Sequence, residues 1–185
     1  MTQQPTYVFL AGIGNSGPDH WQRQWYEREA GNSVWVEHDS WDRPVRDAWV
    51  KDLTDTLATV TGPKVFIAHS LGCTLLGEWA RDQAGRPEEV AGAFLVAVPD
   101  PGGENFPAEA EGFTAAAYGA ALPFPVVLVA SEDDPYGTVE HATAVAGRLA
   151  APLVNVGPKG HINAASGLGD WAEGWSLFRR HFTAG

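Results

Sequence analysis

Only one cysteine, Cys73, stands in the 185 residues, which excludes an internal disulfide and fits a reducing compartment. Basic side chains are scarce as well. Twelve Lys and Arg face 23 Asp and Glu, for a formal charge of −11, and no basic stripe interrupts that balance. Such a chain repels nucleic acid and anionic membranes, so neither is expected as a partner. No apolar run exceeds strand length, so no membrane-spanning segment is expected. The first residues, Met1-Thr2-Gln3-Gln4-Pro5-Thr6, lack the basic start and apolar core of a signal peptide. With the lone cysteine, this points to a cytoplasmic location. No His, Cys and Asp cluster has metal-ligand spacing, so neither a metal nor another cofactor is expected.

What the chain does have is apolar content, 44%, with 21 glycines and 13 prolines. That suits a single domain over residues 1–185, large enough for a sizeable core and rich in tight turns. Strand-like and helix-like stretches alternate from end to end. The strand candidates are 7–11, 33–37, 64–68, 91–98, 126–130 and 153–156. Pro18 suits the first turn of a helix carrying Trp21 and Trp25 and stopping at Gly31. Pro44 opens another, with Val45, Ala48, Trp49, Leu53, Leu57 and Val60 on one side. A third carries Leu71, Leu75, Leu76, Trp79 and Ala80 until Gly85 and Pro87 stop it. A fourth runs from about Thr138 to Leu149. Trp171, Trp175, Phe178 and Phe182 mark the last. Residues 99–123 have no clear period. Alternation of this kind predicts an α/β fold, a mostly parallel sheet of about six strands with helices on both faces. In such sheets ligands bind beyond the carboxyl ends of the strands.

One of those ends carries Ala68-His69-Ser70-Leu71-Gly72. A serine at a strand-to-helix turn, with small residues two before and two after, is the pattern of a nucleophile elbow. Alone the pattern is weak, since Ala68 replaces the usual glycine and a serine there also serves as a plain helix cap. Two further loops on the same face supply what a serine nucleophile needs, in the order acid then base. After the fifth strand comes Ser131-Glu132-Asp133-Asp134-Pro135, and after the sixth Gly157-Pro158-Lys159-Gly160-His161. Asp134 is the favoured acid, because a residue before proline is held extended. Asp133 competes with it. His161 is the base. His69 adjoins Ser70, so its side chain is expected to point elsewhere. His141 and His181 read as solvated helix residues, while His20 and His38 could line a pocket.

Oxyanion donors are expected at the backbone amides of Ile13, with Gly14 next, and Leu71. The loop Gly12-Ile13-Gly14-Asn15-Ser16-Gly17 also fits the spacing of a dinucleotide-binding turn, with Glu37 or Asp39 for the ribose. Pro18 and Trp21 make the following helix start bulky where close backbone approach is required. Most of the eight tryptophans read as core. Trp41, on the active face, is read as a pocket wall, with Phe106 and Phe113 as weaker candidates. Cys73, one turn past Ser70, is read as packing.

Taken together, Asp19-His20-Trp21, Trp41-Asp42-Arg43-Pro44, the elbow, Ser131 to Tyr136, Gly160-His161-Ile162-Asn163, Ser166-Gly167 and Trp171 resemble a known family. It is the small α/β-hydrolase family typified by retinoblastoma-binding protein 9 and its bacterial relatives, and the resemblance spans nearly the whole chain. It implies a serine hydrolase without a large cap domain, with Ser70 as nucleophile, Asp134 as acid and His161 as base. The expected activity is cleavage of small carboxyl esters through an acyl-enzyme. A thioesterase or small-peptide amidase with the same triad is the alternative, as is a hydrolase-shaped protein that binds a partner. The sequence carries no sign of an oligomeric state.

Overall fold

In the computed structural model, which describes residues 4–83 and 89–183, six strands form one parallel sheet. The strands are β1 (Thr6–Leu10), β2 (Ser33–Trp35), β3 (Lys64–His69), β4 (Val90–Val96), β5 (Val126–Ala130) and β6 (Leu153–Asn155). Their order is β2-β1-β3-β4-β5-β6. The helices are α1 (Trp21–Arg28), α2 (Arg46–Leu57), α3 (Leu71–Asp82), α4 (Val139–Leu149) and α5 (Ala172–Phe182). None of the described helices is long and apolar enough to cross a membrane.

The two-residue period of the strands divides the core into two layers. Val8, Leu10, Phe66, Ala68, Ala93, Leu95 and Leu128 face α2, α3 and α4, which contribute Trp49, Leu53, Leu75, Leu76, Val145 and Leu149. Tyr7, Phe9, Val65, Ile67, Phe94, Val96 and Val127 face α1 and α5, which contribute Trp21, Trp25, Leu177 and Phe178. Strand runs such as VFIA in β3 are apolar at every position because both faces are covered.

Several element starts differ from the sequence pattern. Pro18 lies in a turn before α1, and the helix begins at Trp21 because the His20 ring caps it, Nδ1 accepting the Gln22 N–H at 3.1 Å. Pro44 likewise precedes α2 by two residues, and Val45 is 41% exposed rather than packed. Trp171 caps α5 in a left-handed conformation, φ 45°, with its ring over Gly174, where no Cβ fits. The α3 stop expected at Gly85 and Pro87 lies outside the described residues; the helix ends at Asp82.

The aperiodic stretch after β4 is tied to α3 rather than built as a separate cap. Ala115–Tyr118 forms a short 3₁₀ turn. The Tyr118 hydroxyl lies 2.6 Å from Thr74 Oγ1. Glu78, fully buried, accepts from Thr114 N–H at 3.2 Å and pairs with Arg46 and Arg81. This buried carboxylate joins α2, α3 and the loop, and its two guanidinium partners offset the desolvation it suffers.

The strand order reverses between β1 and β3, since the chain moves outward to β2 and then returns to the far side of β1. The crevice of a parallel sheet opens at such a reversal. Here the loops after β1 and β3 meet.

Candidate active site

Ser70 sits on the turn from β3 to α3 with φ 54° and ψ −125°, a strained conformation for a residue with a side chain. The strain survives because the turn is packed from beneath. A Cβ on Gly72 would overlap the Leu10 carbonyl oxygen and lie 3.0 Å from that of Ala11. Only glycine lets α3 start this close to β1. Gly12 is close as well, since a Cβ there would lie 3.0 Å from Ser70 Cβ and 3.3 Å from the Leu71 nitrogen.

Three loops converge at this point. His161 Nε2 lies 2.8 Å from Ser70 Oγ, and His161 Nδ1 lies 2.9 Å from Asp134 Oδ1. An ionised carboxylate only accepts, so Nδ1 carries the proton and Nε2 offers its lone pair to the serine hydroxyl. The Asp134 side chain is 1% exposed, and its Oδ1 also accepts the Tyr136 N–H at 3.0 Å. The two acidic neighbours have separate places. Asp133 Oδ1 accepts from Gly160 N–H at 2.7 Å and from the Ser131 hydroxyl at 2.9 Å, bonds that hold its carboxyl below the usual range. Asp133 therefore touches the loop that carries His161, and Asp134 touches the ring.

Among the described residues, neither the Ile13 nor the Leu71 amide donates a hydrogen bond, and both residues line the cavity beside Ser70. Gly14 does not share that freedom, because its N–H donates to the Trp41 carbonyl at 3.0 Å. The dinucleotide geometry is missing as well. The glycine loop packs on the elbow, and the Gln22 N–H at the start of α1 is occupied by His20.

The cavity measures about 440 Å³ and is bounded by Ile13, His20, Leu71, Phe106, Tyr136 and Ala164, among others. Among the described residues, no Asp, Glu, Lys or Arg lines it. His20 is thus a wall of the cavity, and burial, aided by the charge of His161, lowers its pKa to about 4, so it is neutral there. Phe106 is also a wall. Trp41 is not, contrary to expectation. Its ring packs edge-on against His38 and Trp49, because the loop after β2 folds back over α2. Phe113 is buried against Trp49. His38 stacks on Trp49 with its Nδ1 2.7 Å from Asp52 Oδ2. His141 is tethered to the Pro99 carbonyl at 3.1 Å, and His181 is exposed. Cys73 is buried, with its thiol 3.5 Å from the Val96 carbonyl.

His69 departs most from expectation. Its ring turns toward His161, and its Nε2 donates to the His161 carbonyl at 2.8 Å. A second residue that pattern reading passed over is Gln22. Its amide donates to the carbonyls of Leu10 and Ile67 at 3.0 Å each, closing the carboxyl ends of β1 and β3 beneath the crevice.

A family model described as "Serine hydrolase" matches residues 7–180. No curated protein sequence matches the chain. A YdeN-like hydrolase from Pectobacterium atrosepticum superposes with a TM-score of 0.82 at 29% identity, covering 97% of this chain and 91% of that one. The ydeN gene product of B. subtilis superposes at 0.81 with 17% identity, covering 98% and 100%. BorB, a type II thioesterase from the borrelidin biosynthetic cluster, shares the fold at 0.64 with 18% identity, covering 98% and 95%. The fold is that of α/β hydrolases without a large cap domain.

Proposed function

The chain belongs to the serine hydrolase family, and from that premise we propose that it cleaves small carboxyl esters with Ser70, His161 and Asp134 as its catalytic residues. The observation that carries this reading is the continuous contact from Ser70 Oγ through the His161 ring to Asp134, at 2.8 and 2.9 Å. His161 Nε2 takes the hydroxyl proton as Oγ attacks the ester carbonyl carbon. The Asp134 carboxylate holds the ring and stabilises the imidazolium that forms. Negative charge on the former carbonyl oxygen falls to the free N–H groups of Ile13 and Leu71. The imidazolium then protonates the leaving alkoxide oxygen as the C–O bond breaks, leaving an acyl group on Ser70. Water, deprotonated by His161, attacks that acyl carbon. The carboxylic acid leaves and Ser70 regains its proton.

The cavity supports an uncharged acyl group of modest size. Among the described residues it presents no acidic side chain to receive the ammonium group of a short peptide, which favours esters over amino-terminal amides. Thioesters pass through the same acyl-enzyme and form the nearest rival. We place the protein in the cytoplasm, a reading supported by its single, buried thiol.

A fluorophosphonate probe and a panel of p-nitrophenyl esters of increasing chain length, with a matched thioester, test the proposal. Wild-type protein should be labelled and should turn over the shorter esters, and Ser70→Ala should do neither. An unlabelled, inactive wild type would favour a hydrolase-shaped protein that binds a partner.

A further inference from the structure

The loop that delivers His161 is strained on both sides of the histidine. Gly160 has φ 56° and Ile162 has φ 48°. Glycine adopts that region freely, but a β-branched residue there is held against backbone strain. Ile162 is nevertheless fully buried, and the turn is closed by its own N–H on the Lys159 carbonyl at 3.1 Å. Relaxing Ile162 to an ordinary φ would rotate the adjoining peptides and carry the imidazole away from Ser70.

Two donors from distant parts of the chain oppose that rotation. His69 Nε2 reaches the His161 carbonyl at 2.8 Å, and Trp21 Nε1 reaches the Ile162 carbonyl at 2.8 Å. Both donors belong to buried residues. The His69 ring is kept neutral by burial, well below the ordinary histidine range, so Nε2–H with a bare Nδ1 is its working form. His69 also precedes Ser70 directly. One dipeptide therefore holds His161 twice, at its ring through Ser70 Oγ and at its backbone through His69.

Resting on the hydrolase reading above, we propose that His69 and Trp21 are positioning residues, which clamp the His161 and Ile162 carbonyls and keep the base in register with its nucleophile. Trp21 lies outside the cavity and His69 meets its wall beside Ser70, and neither touches the reacting atoms in this scheme. Their effect belongs in the rate of acyl transfer and not in substrate affinity. A misplacement of about 1 Å at a reacting centre lowers rate by roughly a hundredfold. Loss of either donor should therefore reduce kcat by roughly ten- to a hundredfold, with KM within about a factor of two.

The test uses His69→Leu, His69→Gln and Trp21→Phe in the full chain. Circular dichroism and thermal melts establish folding, and kcat and KM are measured on the best p-nitrophenyl ester. The proton resonance of His161 Nδ1–H is followed by NMR without substrate. Glutamine carries a neutral N–H donor that can reach the same carbonyl, so His69→Gln should recover most of the rate and the resonance that His69→Leu loses. Trp21→Phe should resemble His69→Leu. A folded His69→Leu with wild-type kcat, a glutamine variant as impaired as leucine, or a change confined to KM would overturn the assignment. If leucine does not fold, the glutamine and phenylalanine variants decide by the same criteria. Failure of all three to fold would make the contacts purely structural and overturn it too. Wild-type protein inert toward esters and fluorophosphonate would sink the hydrolase reading instead, and the NMR comparison would still decide the clamp.

Discussion

His20 makes folding stability depend on pH in a way that can be worked out from its surroundings. Its Nδ1 is occupied by the Gln22 N–H, its Nε2 is buried without a partner among the described residues, and burial lowers its pKa from 6.5 to about 4. The folded state thus binds this proton more weakly than the unfolded chain. Stability is complete above the unfolded value and falls as pH drops from about 6.5 toward 4. At pH 5 the unfolded chain holds the proton almost fully and the folded state about a tenth of the time. The difference is about 2 kcal/mol, a large share of the 5–15 kcal/mol typical of a domain. His69, also depressed by burial, adds to the loss in the same direction. Urea unfolding at pH 8 and pH 5 reads the effect, where 2 kcal/mol at an m-value of about 2 kcal/mol/M moves the midpoint by about 1 M. The discriminating variant is His20→Asn, whose side-chain oxygen can still cap α1 but does not titrate. Packing lost with the ring lowers stability at both pH values, so only the pH-dependent difference matters. The wild-type midpoint should fall by about 1 M more than the variant's between the two pH values. Equal falls would refute the neutral, buried His20.

Four further variants probe the site. Asp134→Asn should lower kcat by on the order of 10⁴, because an amide in place of the acceptor turns the His161 tautomer. Asp133→Asn should cost far less in the same ester assay, since its side-chain oxygen can still accept from Gly160. Gly72→Ala should destabilise the protein by about 1–3 kcal/mol or more in urea titrations and lower activity with it, because the added methyl meets backbone that cannot rotate away. Ser70→Ala should melt within a few degrees of wild type, because alanine meets the same backbone strain at φ 54° as serine.

Residues whose place in the fold is set by their chain neighbours were legible in the sequence. β5 was visible over Val126–Ala130 because a strand buried on both faces is apolar at every position. Asp134 stood out from Asp133 because proline restricts the residue before it. The wall assigned to Trp41 failed for a different reason. Being on the active face is a property of the loop, whereas the ring's direction is set by Trp49 and His38, which it meets only after folding.

The clamp on His161 likewise left no trace in the pattern. His69 lies 92 residues from the carbonyl it holds, and Trp21 lies 141 residues from its own. Periodicity says that Trp21 faces a core, and it does, but the use of its one polar atom is not a periodic property. A left-handed turn is normally announced by glycine or asparagine, yet Ile162 at φ 48° carries neither signal. The strained isoleucine and the two distant donors explain each other. Ile162 places an apolar side chain in the layer shared by Trp21 and Trp171, and it keeps that place only where other parts of the fold fix the peptide. Those fixings come from the start of α1 and from the residue beside Ser70, so forming the core layer and aligning His161 with the serine are one event.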